Sequence, residues 1–105
     1  MTAASIPLFR WADLDLDKVT EMVSRKEVRS GDDCLVQTYL KRGALIPLHA
    51  HGGPQWIYVL QGALAIRLGA ETKIVREGDV LHIPAGIQHH GESLEDTFVL
   101  DVRSS

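Results

Sequence analysis

The stretch 49–62 reads HAHGGPQWIYVLQG. Two histidines one residue apart are followed by a turn signal, Gly52-Gly53-Pro54, a lone glutamine and an apolar run that ends in glycine. In a strand, residues two apart point to the same face. His49 and His51 therefore point one way. If Gln55 opens the next strand, it shares a face with Ile57 and Val59, and the intervening turn carries it back beside the two imidazoles.

The same punctuation runs through the rest of the chain. CLVQTYL (34–40), WIYVL (56–60), LAIRL (64–68), TKIVR (72–76), VLHIP (80–84) and TFVLDV (97–102) are rich in β-branched, aromatic and aliphatic residues. Turn clusters such as Ser30-Gly31-Asp32-Asp33, Gln61-Gly62, Leu68-Gly69 and Glu77-Gly78-Asp79 separate them. Many short strands with glycine-rich turns predict an all-β sandwich or barrel. In 11–28, ADLDLDK suggests a helical turn, and from Val19 a strand is expected.

Length and composition narrow the classes. The 105 residues fit one domain, expected as a barrel over about 19–103 preceded by an arm over about 1–18. The apolar fraction is 45%, the charged fraction 24% and the net charge −3, with no basic face, so nucleic acid is not an expected partner. A lone Cys34 excludes a disulfide framework and a cysteine-based zinc site; it reads as a small apolar strand residue. No signal peptide is recognised and the apolar runs are too short to span a membrane, so a cytoplasmic protein is expected.

A third histidine, His89, follows GDVLHIPAGIQHH (78–90). Three imidazoles and an amide oxygen, from His49, His51, Gln55 and His89, make an uncharged ligand set. It suits one divalent ion (nickel, iron, manganese, cobalt or zinc) with positions left for substrate. A glutamate ligand would add a negative charge, whereas glutamine leaves the full charge of the metal, which favours carboxylate substrates and enolates. His82 and His90 read as ordinary strand histidines. Trp56 and Tyr58, opposite Gln55, read as packing against another sheet or a dimer partner. Gln37, Tyr39 and Arg67 are further candidates for the cavity, undecided without the register. The apolar IPLFRW (6–11) is expected to add to or cover a sheet edge across a homodimer.

The spacing resembles both cupin motifs. Gly43, five residues, His49-Ala50-His51, three residues, Gln55, six residues and Gly62 match the first, with Gln55 in place of glutamate. Gly78, five residues, Pro84-Ala85-Gly86, two residues, His89, three residues and Ser93 match the second, with Ser93 in place of asparagine. The resemblance implies a single-domain jelly-roll barrel with the metal inside, held by His49, His51, Gln55 and His89. Over nearly the whole chain the sequence looks like the small KdgF-like cupins, which convert 4,5-unsaturated uronates to the linear keto form with three histidines and a glutamine around a divalent metal. Asp101 matches that family's aspartate near the metal. The family's phenylalanine position holds Arg103, and its downstream arginine is absent. Asp101 and Arg103 share one strand face. The resemblance implies Asp101 as general acid/base, with Arg103 holding a substrate carboxylate. Similar ligand sets also serve dioxygenases and non-catalytic binding modules, so a small carboxylate substrate is the expected partner and the reaction stays open.

Overall fold

The computed structural model describes residues 6–104. Among them a single 3-10 turn, Trp11–Asp13, is the whole helical content. Ten strands follow: β1 Asp17–Lys18, β2 Val23–Ser30, β3 Asp33–Leu40, β4 Leu45–His49, β5 Gln55–Gln61, β6 Ala63–Leu68, β7 Glu71–Arg76, β8 Val80–Ile83, β9 His89–Ser93 and β10 Thr97–Ser104. They form two antiparallel sheets, one in the order β1-β2-β3-β10-β5-β8 and the other β4-β9-β6-β7. The all-β expectation holds, and each of the six expected runs lies on a strand, VLHIP by all but its last residue.

The core lies between the sheets. Strand β5 shows the alternation that Gln55 implied: Gln55, Ile57 and Val59 are buried, while Trp56 and Tyr58 face out. Ile57, Val59 and Val99 from the larger sheet meet Leu64, Ile66 and Val75 from the smaller one. Side chains this size each contribute about 1.5–3 kcal/mol when fully buried.

One local expectation needs correction. The strand expected from Val19 starts at Val23. The Thr20 hydroxyl accepts hydrogen bonds from the Met22 and Val23 amides, at 3.1 and 3.0 Å, and this turn displaces the extended conformation. Residues 6–10 of the arm form no strand within the chain, and Ile6 and Leu8 are exposed. Within the chain the edge of β2 is covered by β1, with Asp17 opposite Arg25. Strands β4 and β9 lie outside the runs singled out in the sequence. HHGES in β9 contains no aliphatic residue, so no strand signal marks it.

The outward face of the larger sheet is unusually apolar. Leu35, Tyr39, Trp56, Tyr58, Val80 and Val102 are each 37–57% exposed there. Tyr39 stacks on Phe98 at 4.4 Å, and Trp56 packs on His82.

Gly62 turns the chain from β5 into β6 with φ +93°. A Cβ there would lie 2.5 Å from the Asp96 carbonyl oxygen and 2.7 Å from Thr97 Cα, so backbone would have to move. Gly62→Ala is expected to cost about 2–3 kcal/mol, read as a lower midpoint in urea unfolding with an unchanged slope.

Candidate metal centre

The site begins at an irregularity. Pro47 has no N–H to give the ladder, and it lies on β4, an edge strand where this is tolerated. The β4–β9 register shifts between Ile46 and His49, and beyond the shift His49 pairs with His89. His51 lies past the end of β4, and its backbone oxygen accepts the Gly86 amide at 2.8 Å. The Pro84-Ala85-Gly86 turn is thereby stitched to the first histidine pair. Gln55 opens β5 directly opposite Arg103 on β10.

These connections bring three imidazoles together. Ring centroids lie 4.8 Å apart for His49–His51, 4.1 Å for His49–His89 and 5.8 Å for His51–His89. One ligand nitrogen from each histidine can be chosen so that all lie within 4.8 Å. Two ligands at about 2.1 Å from one ion are at most about 4.2 Å apart, so the widest pair has to close by at least about half an ångström for both to reach one ion. His49 Nδ1 donates to the Pro47 carbonyl at 2.7 Å, and His89 Nδ1 donates to that of Ile87 at 3.0 Å. A carbonyl only accepts, so both rings carry their proton on Nδ1 and offer Nε2 to a metal.

The remaining polar groups form a chain beside them. Gln55 Nε2 donates to Asp101 Oδ2 at 2.8 Å, and Arg103 Nη2 donates to the same oxygen at 3.0 Å. Gln55, His89 and Asp101 are all at least 94% buried. Among the described residues, five buried side-chain polar atoms lack a hydrogen-bond partner: His51 Nε2, Gln55 Oε1, His89 Nε2, Asp101 Oδ1 and Arg103 Nε. All five belong to this cluster. Four of them, all but Arg103 Nε, carry lone pairs of the kind a cation takes up, so the residues fit a divalent ion. The three histidines are placed to hold it.

All six residues singled out in the sequence line one cavity of about 350 Å³. Gln37, Tyr39 and Arg67 are not among its walls. Their places go to Thr38, one residue out of phase, and to Arg25 on β2, which the sequence reading missed. Arg25 gives its Nε to Asp17 Oδ2 at 3.3 Å. Its signal was alternation in β2, readable only once the pairing of Arg25 with Thr38 is known. His82 and His90 stand outside the three-histidine cluster. Ser93 replaces the motif's asparagine with a structural role. Its hydroxyl accepts the Ala44 amide at 3.0 Å and donates to the Lys41 carbonyl, tying the turn before β4 to β9. Cys34 is buried, its thiol pushed up to about 11 by burial and by its bond to Glu27, so it stays an unreactive thiol near neutral pH.

Comparison with known proteins agrees with this geometry. The Cupin domain matches residues 35–102, and the chain belongs to the cupin family. KdgF from a Halomonas species superposes with TM-score 0.84 and 30% identity, covering 95% of this chain and 94% of its own. An RmlC-like cupin from Shewanella frigidimarina superposes with TM-score 0.86 at 19% identity, covering 95% of this chain and 91% of that one. A variant of Bacillus subtilis oxalate decarboxylase, an enzyme with Mn(II) centres, reaches 0.84 at 23% identity, over 98% of this chain and 31% of that one. These last two matches speak for the fold alone. No curated protein matches the chain. No helix among the described residues is long and apolar enough to cross a membrane.

Burial lowers the pKa of His51 and His89 below the ordinary 6.5, and for His51 the Arg103 charge acts in the same direction. The unfolded chain therefore takes up protons that the folded one refuses as pH falls through 6.5. Metal-free protein is expected to lose stability between pH 7 and 5.5, and His89→Gln to flatten that slope. Thermal unfolding in a chelator across this range checks it.

Proposed function

We propose that this protein is a divalent-metal-dependent cupin enzyme, one domain over residues 1–105, that ketonises 4,5-unsaturated uronates or closely related sugar acids. The observation that carries the proposal is the buried Gln55–Asp101–Arg103 chain lying against three converging histidines inside one cavity. Gln55 joins His49, His51 and His89 as the fourth ligand in this reading. The bound ion supplies Lewis acidity toward the substrate's oxygens.

The chain's own residues do the rest. Arg103 and Arg25 line the same cavity and offer guanidinium groups to the substrate carboxylate. Asp101 has one oxygen engaged by two donors and one buried oxygen free. That free oxygen takes the proton from the enol hydroxyl and returns it to the vinyl carbon, so the net change is an isomerisation that needs no oxidant. Ile57, Leu64, Ile66 and Val99 line the cavity with apolar surface and keep water from competing for the proton.

The test is proton NMR of 4,5-unsaturated galacturonate under nitrogen with the metal-loaded protein. The vinyl signal is expected to decay faster than without protein, with the linear keto acid appearing. Asp101→Asn is expected to slow turnover at least about 100-fold while metal stays bound. No acceleration by the loaded protein overturns the ketonising reading. Oxygen uptake with a candidate carboxylate then marks a dioxygenase, and saturable binding without turnover a binding module.

The exposed apolar face on β3, β5, β8 and β10 supports a homodimer, because apolar patches of this extent on a small soluble protein mark interaction sites. The unpaired Cys34 suits the cytoplasm. Light scattering is expected to give twice the chain mass, and Trp56→Glu is expected to shift it toward the single-chain value.

A further inference from the structure

We propose that Asp101 is the positioning residue that makes position 55 a neutral ligand: it captures the Gln55 amide nitrogen and so turns the carbonyl oxygen toward the histidines. This rests on the metal-centre reading above and adds a cause for its unusual charge.

The argument starts from what the two groups can exchange. The Asp101 oxygen that accepts from Arg103 Nη2 is an acceptor for the Gln55 terminus as well. Asp101 Oδ2 lies 2.8 Å from the Gln55 terminus, so the atom facing it is the Nε2 donor. The other end of a planar amide is then the oxygen, and Oε1 is indeed the atom left buried without a partner. An unconstrained glutamine amide can present either end, and the nitrogen end repels a cation. Asp101 removes that ambiguity.

The same contact decides against glutamate. A carboxylate at position 55 would place two anionic oxygens about 2.8 Å apart at a site where both residues are at least 94% buried. Two such groups cannot both stay ionised. Arg103, bonded to Asp101 and opposite Gln55, supplies one positive charge, enough for one carboxylate and not for two. Asp101 is paired with Arg103 and the Gln55 amide adds no charge of its own, so no anionic ligand at position 55 offsets the charge of the ion. The negative charge that many cupins carry on a ligand sits here one bond further out, on a residue that is still free to exchange a proton through Oδ1.

If positions 55 and 101 form one unit, exchanging their chemistry together should preserve the contact. In Gln55→Glu with Asp101→Asn, the asparagine amide donates to the glutamate, whose second oxygen faces the ion. Nickel(II) affinity is measured by calorimetry on metal-free protein, with circular dichroism confirming the fold of each variant. Asp101→Asn keeps an oxygen where Oδ2 stands, so it is expected to bind nickel within about threefold of the parent. Asp101→Leu removes the acceptor and is expected to weaken binding at least tenfold. The Gln55→Glu, Asp101→Asn double variant is expected to bind at least tenfold tighter than Gln55→Glu alone. A Gln55→Glu variant that binds as tightly as the double variant overturns the proposal. So does an Asp101→Leu variant that folds and binds like the parent. If Asp101→Leu does not fold, the comparison of the other variants decides. Failure of the metal centre itself is distinct: the parent would then bind no nickel, or His89→Ala would bind it unchanged.

Discussion

Strand β10 is paired on both edges, to β3 from Asp33 to Leu40 and to β5 from Gln55 to Gln61. This double pairing carries the C-terminal residues into the middle of the larger sheet. Register does the rest: with Arg103 opposite Gln55, Asp101 falls diagonally next to Gln55 on the same inward face. A slip of one residue would turn Asp101 and Arg103 outward and leave Gln55 against apolar side chains. The apolar alternation of β10, with Thr97, Val99 and Asp101 buried, holds that register from one end. The bulge between Phe98 and Val99 adjusts it against β5.

The polar cluster is an expensive thing to place in so small a core. A buried polar atom without a partner costs about 1–3 kcal/mol. Five of them together rival the roughly 5–15 kcal/mol that stabilises a whole domain. Such a cluster makes physical sense as a receptor. The two histidine Nε2 atoms and the glutamine oxygen want a cation, whereas Asp101 Oδ1 and Arg103 Nε want a polar or ionic ligand. The two demands meet in one cavity, as the proposed metal site with a substrate beside it requires.

Local signals made the metal-binding half legible in the sequence. His49 and His51 are legible as a pair because they lie within three consecutive residues, although His51 lies past the end of β4 and is held through its bond to Gly86 rather than by strand alternation. Gln55 joins them because glycines and a proline force a turn within the same short stretch. The other half depended on contacts that no local pattern encodes. The Gln55–Asp101 bond joins residues 46 apart in the chain, and the resemblance to KdgF-like cupins was needed to single out Asp101 at all. Arg25 went unnoticed because β2 reads VSRKEVRS, with charges on both faces and no apolar stripe to announce the inward one. Gln37, Tyr39 and Arg67 were undecidable for the same reason: strand phase is fixed by partners, and all three turn out to lie on the other side of their sheets.

Two arginines in one cavity, one bonded to Asp101 and one to Asp17, define what the site can discriminate. Arg103 is only partly exposed and already committed to a carboxylate, so its charge acts mainly to balance Asp101. Arg25 is more exposed, and Asp17, its partner, stands at the sheet edge where water screens the pair. A substrate anion that displaces Asp17 from Arg25 therefore loses little, whereas one that displaces Asp101 from Arg103 strands a buried carboxylate. In the proposed reading a substrate anion is therefore held more readily by Arg25, with Arg103 adding its charge from beside Asp101.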